Sequence, residues 1–347
     1  MALAELNAAV LLLGLTAYAV LGGADFGAGF WDLTAGGARR GARLRGMVKN
    51  AMGPVWEANH VWLIFVLVVF WTAFPRAFGP VMQTLYVPLY LAGVGIIFRG
   101  AAFALRGEAA TIVEARLLGG AFALASVAVP FFLGAVVGAV ASGQVPAEGA
   151  GDAWESWTGP FPLYIGVLTV GAGAYIAAVF LAGDSVRVGQ EDLARAFRWR
   201  ALAAALVTGV LAIAGLFVAR SQARGLYDGL TSGGGVVAVV VSALAGVVAL
   251  ALVWREHYEP ARYASAVAVA ATVAGWGLAQ RPDFLPGALS LDEAAAGRPT
   301  QIAILVSMGI ALLILAPSLW LLFRLTLAGR LDTDFHPIAA ADRRDEP

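Results

Sequence analysis

Cysteine is absent from the 347 residues, and histidine occurs only at His60, His257 and His336. The first absence excludes disulfides, thiolate metal sites and iron–sulfur ligation by this chain. The second leaves too few imidazoles for a multi-histidine metal or haem centre built from this chain alone. Charge is scarce as well: Asp, Glu, Lys and Arg make up 13% of the residues, against roughly 25% in a soluble domain. Lys and Arg together equal Asp and Glu at 23 each, so no global field points to nucleic acid. The alternating segments of about ten residues that a transmembrane β-barrel requires are not visible.

What is present is apolar. Hydrophobic residues make up 60% of the chain and the mean hydropathy is +0.79. Several apolar runs exceed the ~18 residues that mark a spanning helix. The chain therefore reads as an all-α polytopic membrane protein. Nine spans are expected, near 8–30, 58–76, 80–105, 117–141, 161–183, 201–219, 234–254, 262–280 and 301–323. Pro75 and Pro80 bracket an expected tight turn between the second and third. The N-terminus has no basic segment ahead of its apolar run, which is too long for a signal sequence, so it reads as a retained first helix.

Arginine sets the expected orientation. Arg39, Arg40, Arg43, Arg45 and Lys49 share the first loop, Arg106 and Arg116 the third, and Arg187, Arg195, Arg198 and Arg200 the fifth. The alternate loops are poorer. By the positive-inside rule the N-terminus lies outside and the C-terminus in the cytoplasm. The acidic, aromatic segment Val145–Thr158 is the longest outer loop and divides the chain. The expected organisation is one integral membrane domain over 1–330, with a tail over 331–347. It holds two four-helix bundles, about 8–141 and from about 161, plus one extra helix that ends near 325.

Nearly every charge falls in a loop or at a helix end. The exceptions are Asp25, Glu57 and Arg99, with His60 as a titratable neighbour. Asp25 sits in Gly22–Asp32, an acid among glycines in an apolar run, and Gly23, Gly27 and Gly29 supply a small-residue face for helix packing. An ionisable group at membrane depth needs a partner or a function. Two readings of Asp25 stand: a carboxylate on a proton path, or a buried acid paired with Arg99 or capped by backbone. Glu57 is either a proton uptake site, as half-buried carboxylates can be, or an interfacial acid favoured by the macrodipole at a helix start. His60 is either a haem or metal ligand or a hydrogen-bonded interfacial residue beside tryptophans such as Trp56. Arg99 is either a counter-ion or a substrate binder. The expected topology puts all four at one depth, in the cytoplasmic third.

Several stretches carry a resemblance in their order and spacing. They are Gly23–Gly29, then Gly53-Pro54-Val55-Trp56-Glu57-Ala58-Asn59-His60-Val61-Trp62-Leu63, Phe74–Phe78, Phe98-Arg99-Gly100, Ala279–Pro282 and Leu291–Ala295. With them the whole chain resembles subunit II of the cytochrome bd-type quinol oxidases, the cyanide-insensitive branch included. The resemblance implies a bacterial or archaeal cytoplasmic membrane complex that oxidises quinol and reduces dioxygen to water. It implies a haem-bearing subunit I that holds haems b and d, and no cofactor held firmly by this chain. Some members hold a structural quinone, and a small single-helix accessory subunit is a further partner of the type. Asp25 matches the family's first-helix acid, and Trp56-Glu57 its tryptophan–acid pair. Gly22 stands where the family often has a second acid. The resemblance favours proton transfer at Glu57, with Asp25 holding the first three helices. A secondary transporter and a purely structural assembly subunit are the alternatives.

Overall fold

The computed structural model describes residues 3–37, 41–52, 56–106 and 111–327, apart from the side chains of Met52, Trp56, Glu57, Ala58, Ile112, Phe323, Thr326 and Leu327. The 331–347 tail, His336 and the side chains of Trp56 and Glu57 thus lie outside the described residues.

The chain is almost wholly helical. Helix α1 (Leu3–Ala17) passes through a π turn (Tyr18–Gly22) into α2 (Gly23–Leu33). Then come α3 (Ala42–Met52), α4 (Trp56–Ala73), α5 (Pro75–Thr84), α6 (Tyr86–Leu105) and α7 (Ile112–Ala141). A short α8 (Glu155–Thr158) leads to α9 (Pro160–Arg187), α10 (Glu191–Gln222), α11 (Arg224–Leu230), α12 (Gly233–Trp254) and α13 (Tyr258–Ala279). A two-stranded antiparallel hairpin, β1 (Asp283–Leu285) and β2 (Leu289–Ser290), precedes α14 (Leu291–Ala294) and α15 (Arg298–Leu327).

Among the described residues seven helices are long and apolar enough to cross a membrane, or eight if one bent pair counts as a single span. On length and composition, seven of the nine expected spans qualify, or eight with the bent pair. Two elements account for the difference. The second expected span turns through 119° where α4 meets α5. Phe74, ahead of Pro75, leaves helical geometry at φ −132° and ψ 56°, as a residue before proline tends to. Pro75 then opens α5, where its missing N–H costs nothing. The expected tight turn between Pro75 and Pro80 is thus a ten-residue helix, and the third long helix starts at Tyr86 instead of near 80. The other element is α13, a full-length helix half of which is alanine and valine, with Arg262 near its start.

A second departure lies in the first basic loop, which contains α3. Its Leu44, Met47 and Val48 are buried while Arg43 and Lys49 face outward, the pattern of an amphipathic helix lying across helix ends.

The interior is made where small residues let helices close up. Among the described residues helix α9 packs chiefly against α2, α7 and α10, α12 against α13, and α15 chiefly against α1 and α4. In the apolar stretch of α9 56% of residues are buried; in that of α15 none are. Ion pairs cluster at one end, which we call the basic end: Arg43 with Asp192, Arg198 with Glu256, and Asp184 with Arg262 and Arg187. At the other end Glu5 pairs with Arg281, and the Arg76 side chain donates to the Glu293 carbonyl.

Candidate functional site

Asp25 is the third residue of α2, directly after the π turn. A π turn inserts one residue into the helical repeat and often marks a functional position. Here the wide turn holds the Tyr18 ring over Gly22. A Cβ at Gly22 would lie 2.9 Å from Tyr18 Cε2, so a side chain there, an acid included, would have to displace the ring. This gives a steric reason for glycine at position 22.

The Asp25 carboxylate accepts from Arg99 Nη2 at 2.8 Å, and both side chains are at most 2% exposed. The same Nη2 donates to the Asp25 carbonyl at 3.2 Å, and Nε donates to Ser126 Oγ at 3.0 Å. Ser126 in turn donates to the Phe122 carbonyl at 2.7 Å. The guanidinium carbon lies 4.7 Å from the Phe26 ring centroid and 5.0 Å from that of Phe122, within cation–π range. One buried arginine thereby joins α2, α6 and α7. Asp25 Oδ2 and the Tyr18 hydroxyl are buried without a hydrogen-bond partner among the described residues.

Seven residues further along each helix the arrangement repeats. Asp32 accepts from Arg106 Nη1 at 2.7 Å and Nη2 at 3.5 Å, as Asp25 does from Arg99. Seven residues are two turns, about 10.5 Å of rise. Asp32 also receives Arg45 Nε of α3 at 3.1 Å. Asp32 is 2% exposed, but its arginines are 16% and 19% exposed. Reading the charges singly passed over Asp32 as a helix-end acid. The signal that finds it is the shared spacing, Asp25 to Asp32 on one helix and Arg99 to Arg106 on the other. A crevice lined by Val48, Lys49, Phe103, Arg106 and Phe122 adjoins this second rung.

The glycines differ in what they permit. A Cβ on Gly27 would sit 1.9 Å from the Gly173 carbonyl oxygen of α9, and one on Gly29 would sit 2.1 Å from Ser126 Oγ. Both positions demand glycine for close approach. A Cβ on Gly23 would meet Gly173 Cα at an ordinary 3.9 Å. The Trp31 indole N–H donates across the same contact to the Ala174 carbonyl at 2.8 Å.

His60 is half-buried, and its ring lies 6.1 Å from that of Phe26. Phe26 therefore touches the environments of both Arg99 and His60. Of the residues expected to share one depth, Asp25 and Arg99 are in contact, His60 reaches them through Phe26, and the Glu57 and Trp56 side chains lie outside the described residues. Among the described residues no group of three or more His, Cys, Asp or Glu side chains is arranged to hold a metal ion.

Cytochrome bd ubiquinol oxidase subunit 2 of Bacillus subtilis (strain 168) is 29% identical over 126 residues, a stretch that covers 36% of this chain and 36% of that relative. The solved structure of bd oxidase from Geobacillus thermodenitrificans contains a similar chain, with TM-score 0.75 and 26% identity over 94% of this chain and 99% of that one. A family model described as cytochrome bd terminal oxidase subunit II matches residues 3–326. The chain belongs to the cytochrome bd terminal oxidase subunit II family.

Proposed function

We propose that this chain is the second subunit of a quinol:oxygen oxidoreductase in a bacterial or archaeal cytoplasmic membrane. It packs there against a haem-bearing subunit I. The partner supplies the redox chemistry through its haems, while this chain supports assembly, takes up protons from the cytoplasm and borders the route of oxygen. Nine helices cross the membrane in this reading, α13 included, with the basic end in the cytoplasm.

The observation that carries the division of labour is the 2.8 Å Asp25–Arg99 bond inside the protein. If Asp25 passed protons, each neutralisation would leave a buried guanidinium without its counter-charge, a loss of several kcal/mol. Asp25 therefore acts as a brace for the first helices, and Glu57 is the acid through which protons come in. Glu57→Gln keeps shape and removes the charge. In the purified complex, oxygen consumption driven by quinol should fall at least tenfold with haem content unchanged. Unchanged turnover at full haem content would return Glu57 to a structural role. The cofactor assignment is tested by purifying this chain alone: stoichiometric haem on it would defeat the reading.

A further inference from the structure

At the basic end α10 and α12 meet through two tryptophans. Trp199 and Trp254 contact edge to face with ring centroids 6.1 Å apart, and both are more than half exposed. The Arg198 guanidinium carbon lies against both, 5.8 and 5.4 Å from their centroids. Arg198 donates to the Trp254 carbonyl and pairs with Glu256 at 2.9 Å. Glu256 is turned back toward it by a φ of 64°, the one positive φ at a residue other than glycine among the described residues. The charge of Arg198 is thus consumed within the protein.

Two neighbouring charges are not. Arg195 lies one turn toward the end on the Arg198 side of α10, and Arg255 follows Trp254. Both are exposed, and neither has an ion pair among the described residues; Glu191, a turn further out, makes none with Arg195. In the other direction each tryptophan begins an exposed apolar stripe. On α10 it continues through Leu206, Val210, Ile213 and Phe217, spaced 7, 4, 3 and 4 residues apart, each at least 58% exposed. On α12 it runs back through Val247, Leu244 and Val240, each at least 50% exposed. Because the tryptophans touch, the stripes begin side by side. From Trp199 to Phe217 is 18 residues, about 27 Å of helix, close to the hydrocarbon thickness of a bilayer.

We propose that this surface binds one anionic phospholipid of the phosphatidylglycerol class, its phosphodiester held by Arg195 and Arg255 and an acyl chain laid along the two stripes. Unpaired guanidinium groups, an aromatic pair at headgroup level and a long aliphatic lane below it match one amphiphile from end to end. A soluble anion would use only the arginines, and a zwitterionic lipid would use only the lane.

The test is native mass spectrometry of the delipidated protein, purified with whatever subunits accompany it, during titration with phosphatidylglycerol or phosphatidylcholine of the same chains. The expected result is one tight phosphatidylglycerol. The Arg195→Gln/Arg255→Gln variant should weaken it roughly thirtyfold, about fivefold per arginine, with phosphatidylcholine binding unchanged. Arg195→Lys/Arg255→Lys should keep most of the affinity. Four results would overturn the assignment: wild-type affinity in the double Gln variant, equal binding of the two lipids by the wild type, displacement by millimolar inorganic phosphate, or a copurifying subunit found covering the tryptophans.

Discussion

Asp25–Arg99 and Asp32–Arg106 link the same two helices, two turns apart, with carboxylate–guanidinium bonds of 2.8 and 2.7 Å. The first is sealed: one carboxylate and one arginine, each with side-chain exposure of 2% or less, among two aromatic rings and a serine. The second opens toward the basic end, where one carboxylate serves two arginines that both reach solvent. Bond length hardly differs; what differs is the fate of each charge once its partner is gone. Arg99 has no water to turn to. Arg45 and Arg106 do.

The largest effect should therefore come from breaking the inner rung. Asp25→Asn leaves a buried guanidinium uncompensated, which costs about 3–5 kcal/mol. We expect little assembled complex, with a strongly lowered thermal midpoint in whatever assembles. Asp25→Leu combined with Arg99→Met removes both charges for apolar groups, and such replacements are often neutral or stabilising. Assembly should then return, and with it oxygen reduction, the outcome that the proposed bracing role of Asp25 requires. An assembled, haem-replete but inactive double variant would show instead that Asp25 carries protons.

The outer rung should break more gently. Asp32→Asn keeps an acceptor and leaves two arginines that can turn to water, so about 1.5–3 kcal/mol is expected, the range for hydrogen bonds to charged groups. The complex should assemble with a modestly lowered thermal midpoint. A loss as large as that of Asp25→Asn would mean that depth does not distinguish the two rungs.

How much of this was legible in the sequence follows from the same contrast. Long apolar runs announced the membrane helices, and Asp25 and Arg99 within them offered the inner rung as one of two readings, because charge inside hydrocarbon has no solvated alternative. Asp32, Arg45 and Arg106 looked like ordinary helix-end charges; the spacing of seven residues, Asp25 to Asp32 and Arg99 to Arg106, betrays two of them, and nothing local betrays Arg45. Helix α3 was hidden because Leu44, Met47 and Val48 are separated by arginine and glycine. The bend at Phe74 was half legible: Pro75 predicts a break but not that α5 follows it. Gly27 and Gly29 could be read as small-residue positions, but which neighbour demands glycine depends on how α7 and α9 approach, which no local pattern encodes.

The comparison extends to a third carboxylate with no burial at all. Glu293 closes a capping box on α14: its carboxylate accepts from Ser290 Oγ at 2.6 Å and from the Ser290 N–H at 3.0 Å, and its own N–H donates to Ser290 Oγ at 3.4 Å. The Ser290 hydroxyl, then its N–H, hold the Glu293 carboxyl below its ordinary value of 4.5. A lowered value means that the folded state favours the charged form, so the contribution of the cap is complete above pH 4.5 and is lost as pH falls through the lower folded-state value. Ser290→Ala removes the hydroxyl and lets the carboxyl rise toward 4.5. Hydrogen exchange of the Leu291–Ala294 amides, corrected for intrinsic rates, should then lose protection at a higher pH than in the wild type, with little change near neutrality in assembly or thermal midpoint. Coincident pH profiles in the two proteins would refute the cap's role. The effect is the smallest of the three because water replaces both bonds of the Ser290 hydroxyl, an exchange possible only in part at Asp32 and not at all at Asp25.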